Sequence, residues 1–99
     1  MLAITRKVDQ WVQIGDGISV SPTDIDASRV RLIARGRVLG GAEDGAAFEK
    51  TADVPVGGEM RLGEHIVVNV LAVSGDEVRL GVQSPKHVRV HRKERVDQG

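Results

Sequence analysis

Two stretches of this chain superpose without a gap when one is shifted by 48 positions. Ile14-Gly15-Asp16 falls on Leu62-Gly63-Glu64, Ile18 and Val20 fall on Ile66 and Val68, and Val8 falls on Val56. Val30-Arg31-Leu32 falls on the identical tripeptide Val78-Arg79-Leu80. Chance alternation could align the apolar positions, but it would not also align the glycine turn and the tripeptide. A tandem duplication follows, whose two copies are expected to pack as a pseudo-symmetric pair. That narrows the fold more than any other feature of the sequence.

Each copy reads as short strands joined by tight turns. Leu2 to Val8, Trp11 to Ile14, Ile18 to Ser21 and Arg29 to Ala34 carry β-branched residues at period two. Gly15-Asp16-Gly17 and Asp26-Ala27-Ser28 are turns, and Pro22 marks an edge or a bulge. The pattern returns with Val54-Pro55-Val56, Glu59 to Leu62, Ile66 to Val73 (the longest apolar run and the expected core strand) and Glu77 to Val82. Between the copies, Gly40 to Ala47 is small, acidic and glycine-rich, so residues 37–53 read as a linker or loop, with a short helix near Ala46 to Lys50 as an alternative and Phe48 as its anchor. The expectation is a single compact all-β domain over 1–99, with little helix: a first half at 1–36 and a second at 54–99, interlocked as a barrel- or sandwich-like pseudo-dimer.

Composition excludes several functions. The chain has 99 residues, no cysteine, and formal net charge zero with 14 basic and 14 acidic residues. Without cysteine there is no disulfide framework and no thiolate ligand or nucleophile. His65, His87 and His91 fall in no metal-ligand spacing, so neither a metal nor a cofactor is expected. Gly15-Asp16-Gly17 lacks the lysine and helix of a phosphate loop, and no nucleophile, base and orienting acid come together, so an enzyme is not expected. No apolar run is long enough to cross a membrane and no signal-peptide pattern opens the chain, which leads to the expectation of a cytoplasmic protein. A nucleic-acid binder of this composition must concentrate its cations locally. With Trp11 and Phe48 the only aromatics, base stacking on aromatic platforms is not the expected main mode of recognition.

The cations do concentrate, and they do so where the two copies differ. In Ser84 to Glu94, Val88 and Val90 alternate with Arg89, His91 and Lys93, giving a strand with an apolar face and a cationic one. Its counterpart in the first copy is degraded: Val88, Val90, His91 and Arg92 fall on Gly40, Ala42, Glu43 and Asp44. Conversely Leu2, Ile4, Arg6 and Lys7 fall on Lys50, Ala52, Val54 and Pro55. One basic first strand and one basic last strand survive, at opposite ends of the chain. A solvated edge strand charged against aggregation is the plain alternative for either.

Leu2-Ala3-Ile4-Thr5-Arg6-Lys7-Val8 with Ile14-Gly15-Asp16 resembles the start of the carbon storage regulator family (CsrA/RsmA). Ser74 to Glu94 is similar to that family's second half, in its valine-arginine-leucine-glycine run, its Pro85-Lys86 pair, and Val88-Arg89-Val90-His91-Arg92 before Glu94. Members are much shorter, five-stranded subunits of an interlocked homodimer, and this chain departs by carrying two such units, each damaged at one end. The resemblance implies binding of GGA motifs in mRNA leaders or small RNAs, and so translational regulation, at sites each formed by the first strand of one subunit and the last of the other. In a single-chain pseudo-dimer, it implies one intact site. There Arg92 is the main arginine, able to pair bidentately with a guanine edge or a phosphate. Arg6 and Lys7 hold phosphates, Val88 and Val90 present backbone groups to bases, and Ile4 gives apolar contact. Thr5 and His91 add hydrogen bonds, and Lys86, Arg89, Lys93 and Arg95 add salt-dependent attraction.

Alternatives stay open at several of these positions. Val88 and Val90 can be core residues only, Arg6 an ion-pair partner, and Trp11 packing rather than stacking. Arg31 and Arg79, present in both copies, suit a structural role. The rival function is a protein-binding module, or one that titrates a regulator, on a related scaffold that has lost RNA; a protein antagonist is a further partner compatible with the family. A monomeric pseudo-dimer is expected, with a strand-swapped homodimer as the other arrangement.

Overall fold

A computed structural model describes residues 2–15, 17–37, 47–63, 65–86 and 88–93. Nine strands are described: β1 (Leu2–Lys7), β2 (Trp11–Ile14), β3 (Ile18–Ile25), β4 (Arg29–Arg37), β5 (Ala47–Pro55), β6 (Glu59–Leu62), β7 (Ile66–Ser74), β8 (Glu77–Gln83) and β9 (Val90–Lys93). No helix among the described residues is long and apolar enough to cross a membrane. The strands form two antiparallel sheets, one ordered β1-β8-β7-β6 and the other β5-β4-β3-β2-β9.

Period-two alternation sends one face of every strand inward. Ile66, Val68 and Val70 of β7 and Val78, Leu80 and Val82 of β8 meet Val12 and Ile14 of β2, Ile18 and Val20 of β3, and Val30, Leu32 and Ala34 of β4 in one aliphatic core between the sheets. Leu32 and Leu80 have no solvent exposure at all. The protein is thus all-β, two sheets closed over a shared interior.

The sheets are built by exchange. The meander β2-β3-β4 and the meander β6-β7-β8 lie in different sheets, and each is flanked by a strand from the far side of the sequence. β1 pairs with β8, Thr5 opposite Arg79, and β5 pairs with β4, Asp53 opposite Arg31. Moving first-copy positions forward and second-copy positions back by 48 turns one register into the other, as with Ile4↔Leu80 and Ala52↔Leu32. The correspondence reaches irregular detail. β3 bulges between Pro22 and Asp24, and β7 between Val70 and Ala72, 48 residues on. Asp9 and Gly57 are likewise 48 apart, and both have positive φ, 69° and 92°. Asp9 N donates to Pro22 O at 2.9 Å, and Gly57 N to Val70 O at 2.8 Å.

Pro22 fits in a buried strand because of this geometry. On a strand the N and O of one residue point to the same side. Pro22 O faces the β1–β2 turn, so its nitrogen does too, and the missing N–H removes nothing from the β3–β4 ladder. At Val70 the N–H exists and is used, donating to Gly58 O at 3.0 Å.

Several expectations need correction. Residues 47–53, read as part of a linker or a short helix, lie in β5, a nine-residue edge strand. Its sequence hides this because only Val54 is buried, with Phe48 and Ala52 half-buried. Cross-strand ion pairs support it instead: Arg31 Nε to Asp53 Oδ1 at 2.9 Å and Arg35 Nε to Glu49 Oε2 at 2.8 Å. The β3 strand continues past Pro22 to Ile25, β4 reaches Arg37, and β1 stops at Lys7. The rest of the expected linker, 38–46, lies outside the described residues.

Candidate nucleic-acid interface

The expected site combines β1 and β9, and exchange decides where each goes. β9 leaves the sheet of its own meander and pairs antiparallel with β2, Trp11↔Lys93, Val12↔Arg92, Gln13↔His91 and Ile14↔Val90. The connection is fixed by Gly15 N donating to Arg89 O at 2.6 Å and by a turn in which Val88 N donates to Pro85 O at 3.0 Å. Val88 Cγ1 stands 3.3 Å from where a Cβ on Gly15 would be, so the segment packs directly on the β2–β3 turn. β1 is the edge of the other sheet, and the β1–β2 turn joins it to the strand that β9 pairs with. There Arg6 Nη1 donates to the carbonyl of Trp11, the residue opposite Lys93, at a long 3.4 Å, and Arg6 Nε to Thr5 O at 2.8 Å.

Alternation splits the β1 residues between two faces. Ile4 and Arg6 point inward, and Thr5 and Lys7 outward. Ile4 is 7 % exposed, so its side chain serves the core rather than an outer apolar contact. Arg6 is 6 % exposed and its guanidinium is engaged with backbone carbonyls between the sheets. Lys7 is exposed, its Nζ 3.8 Å from Asp76 Oδ2, and Lys7 N donates to Gln10 Oε1 at 2.9 Å. Thr5, Lys86, Arg89 and His91 are exposed, while Val88 and Val90 are half-buried against the core. The side chains of Arg92 and Lys93, and residues 87, 94 and 95, lie outside what is described. The period-two rule, applied strictly to Leu2 through Lys7, would have separated Ile4 and Arg6 from Thr5 and Lys7 in advance.

The opposite end of the molecule differs in chemistry. On β5, Ala52, Val54 and Pro55 stand where β1 has Ile4, Arg6 and Lys7, and Val54 is 2 % exposed. The outer side of β6 carries no paired strand among the described residues; there Lys50 Nζ donates to Arg61 O at 2.9 Å. Arg61 is the position 48 after Gln13, which β9 pairs through His91.

One pairing was not legible in the sequence. On the outer face of the sheet that β9 completes, the Arg35 guanidinium lies 5.5 Å from the centroid of the Trp11 ring. The two residues are 24 positions apart, and only the β2–β3–β4 register brings them together.

Exchanged strands around two meanders, with basic residues on the strands that change sheets, define an interlocked all-β protein with a cationic edge. Residues 56–98 match the CsrA model, described as the global regulator protein family. The chain is similar to the Translational regulator CsrA of Bacillus subtilis (strain 168), 51 % identical over 35 residues, covering 35 % of this chain and 47 % of that protein. It is similar to the protein of the same name from a Nocardioides species, 54 % identical over 37 residues, 37 % of this chain and 45 % of that one. The Thermotoga maritima protein of that name is 44 % identical over 39 residues, 39 % and 47 % of the two chains. The chain spans about half the length of the curated relatives it matches. No solved structure matches it.

Proposed function

We propose that this protein is a post-transcriptional regulator that binds RNA at one site per chain, formed where β1 and β9 approach, and that it selects GGA-containing mRNA leaders or small RNAs. The exchange of β9 onto β2 carries the reading, because it pairs the last strand with β2, whose Trp11 carbonyl also accepts from Arg6 of β1. The match of residues 56–98 to a family of regulators, with relatives named for translation, supports it. The exposed cations Lys7, Lys86 and Arg89 contribute phosphate attraction, and Arg92 reads a guanine edge. β5 supplies no equivalent of Arg6 or Lys7, so a second RNA finds no cationic first strand at the other end.

A gel shift with a hairpin presenting GGA in its loop tests this. One RNA binds per chain, the complex weakens with salt, and Arg92→Ala lowers affinity by roughly 10- to 100-fold. Two RNAs per chain refute the single site. No complex at low salt refutes RNA binding and favours the other reading, a module that binds a protein partner or titrates a regulator. The observation on that side is Arg6, already committed to backbone carbonyls.

A further inference from the structure

The outer face of the β5-β4-β3-β2-β9 sheet carries a row that crosses all five strands: Glu49, Arg35, Ser19, Gln13 and His91, each opposite the next. Small side chains floor its centre. Ser19 is half-buried, and Ser21, two residues further along β3, has no exposure. Trp11 stands on β2 and Arg35 on β4, and the guanidinium lies over the indole. Glu49 Oε2 accepts from Arg35 Nε at 2.8 Å and fixes the rotation of the guanidinium plane. More than half of the Arg35 side chain remains exposed. Toward β9 the row continues in polar groups: Ser19 Oγ donates to Gln13 Oε1 at 3.0 Å, and Gln13 Nε2 donates to Gly15 O at 2.9 Å.

We propose that the Arg35–Trp11 pair is a stacking platform for an unpaired nucleobase flanking the RNA segment held at β1 and β9. This rests on the function proposed above and extends it to a second subsite. A planar guanidinium backed by an aromatic ring and locked by a carboxylate presents a flat, rigid face, and unpaired bases stack on such planes. Its place beside β9 sets it on the path of RNA leaving the proposed site, since Trp11 is opposite Lys93 and Gln13 opposite His91. A base has a π face for Arg35 and polar edges for the Gln13–His91 end of the row. The other sheet has no such device: the positions 48 further on from Trp11 and Arg35 are Glu59 and Gln83. Because Glu49 already balances the charge of Arg35, the platform contributes stacking and little counterion release.

The test compares two linear RNAs, a short GGA segment and the same segment extended by a few unpaired adenosines on each side. The extended RNA binds wild-type protein about tenfold more tightly. Arg35→Gln, which installs the residue found at the matching position of the other sheet, abolishes that advantage, leaves the short RNA unaffected, and does not alter the salt slope. Trp11→Phe, which keeps an aromatic packing side chain, retains part of the advantage. Trp11 is the chain's one tryptophan, so its emission shifts with the extended RNA and not with the short one. Equal weakening of both RNAs by Arg35→Gln, equal affinity of wild type for both, or unchanged emission at saturation overturns the platform and leaves the β1–β9 site standing. Failure of wild type to bind even the short RNA overturns both.

Discussion

Replacing Leu80 by alanine removes a side chain with no solvent exposure from the middle of β8, where it lies opposite Ile4 on one side and Val70 on the other. A fully buried Leu→Ala change costs about 3 kcal/mol, the sum of lost transfer energy and the cavity left behind. With a urea dependence of about 1.5 kcal/mol/M for a chain of this size, the midpoint falls by about 2 M. The informative point is where that loss is felt. Trp11 lies in the other sheet and in the other sequence copy, but β1, β5 and β9 each pair across the copies, so neither sheet can come apart alone. Trp11 emission and far-ultraviolet circular dichroism therefore report the same shifted midpoint in Leu80→Ala, and again in Leu32→Ala, its counterpart in the other sheet. A Trp11 transition that stays at the wild-type midpoint while the dichroism signal shifts or splits would refute the claim that exchange makes the sheets one cooperative unit.

Gly36→Ala places a Cβ inside the Gly17 carbonyl oxygen and 2.8 Å from Ile18 Cα, both backbone; the forced shift costs about 3 kcal/mol and lowers the melting temperature by more than about 10 °C, whereas Gly63→Ala, with open space around it but φ 76°, costs about 1 kcal/mol. A fragment spanning 47–99 keeps β5 and β9 but loses the meander they flank, so it pairs them with a second copy; light scattering reports a dimer, and a folded monomer would count against strand exchange as the source of the architecture. The hydrogen bond from Arg31 holds the Asp53 carboxyl below its ordinary range. A depressed carboxylate stabilises the fold above its unfolded pKa and loses that contribution as pH falls through the folded one. The small stability advantage of wild type over Asp53→Asn is thus present at neutral pH and vanishes in acid, as paired melting curves across that range will show; an advantage that grows in acid would contradict it.

What the sequence revealed, it revealed through its repeats. The turn glycines and the shared Val-Arg-Leu tripeptide located the two meanders, whose matching bounds follow from identical alternation of core positions. Which sheet each flanking strand joins is a long-range choice that periodicity does not encode, and only the resemblance supplied it. β5 stayed hidden because Ala47-Phe48-Glu49-Lys50-Thr51-Ala52-Asp53 has the composition of a loop; it is a strand because Arg31 and Arg35 on β4 supply partners for Asp53 and Glu49. At the site, residue types located the cations, but a list of types ignores the pleat, which turns Ile4 and Arg6 into the interior and leaves Thr5 and Lys7 outside. Trp11 read as packing, and its contact with Arg35 depends on the β2–β3–β4 register, which periodicity does not encode.

Pro22 and Val70 occupy matching places, yet only one of them donates a backbone hydrogen bond to its turn. In an assembly of identical subunits such a proline would be imposed at both locations at once, and its cost would be doubled. Within a single polypeptide each location mutates by itself, so a change tolerated at one end leaves the matching place at the other end untouched.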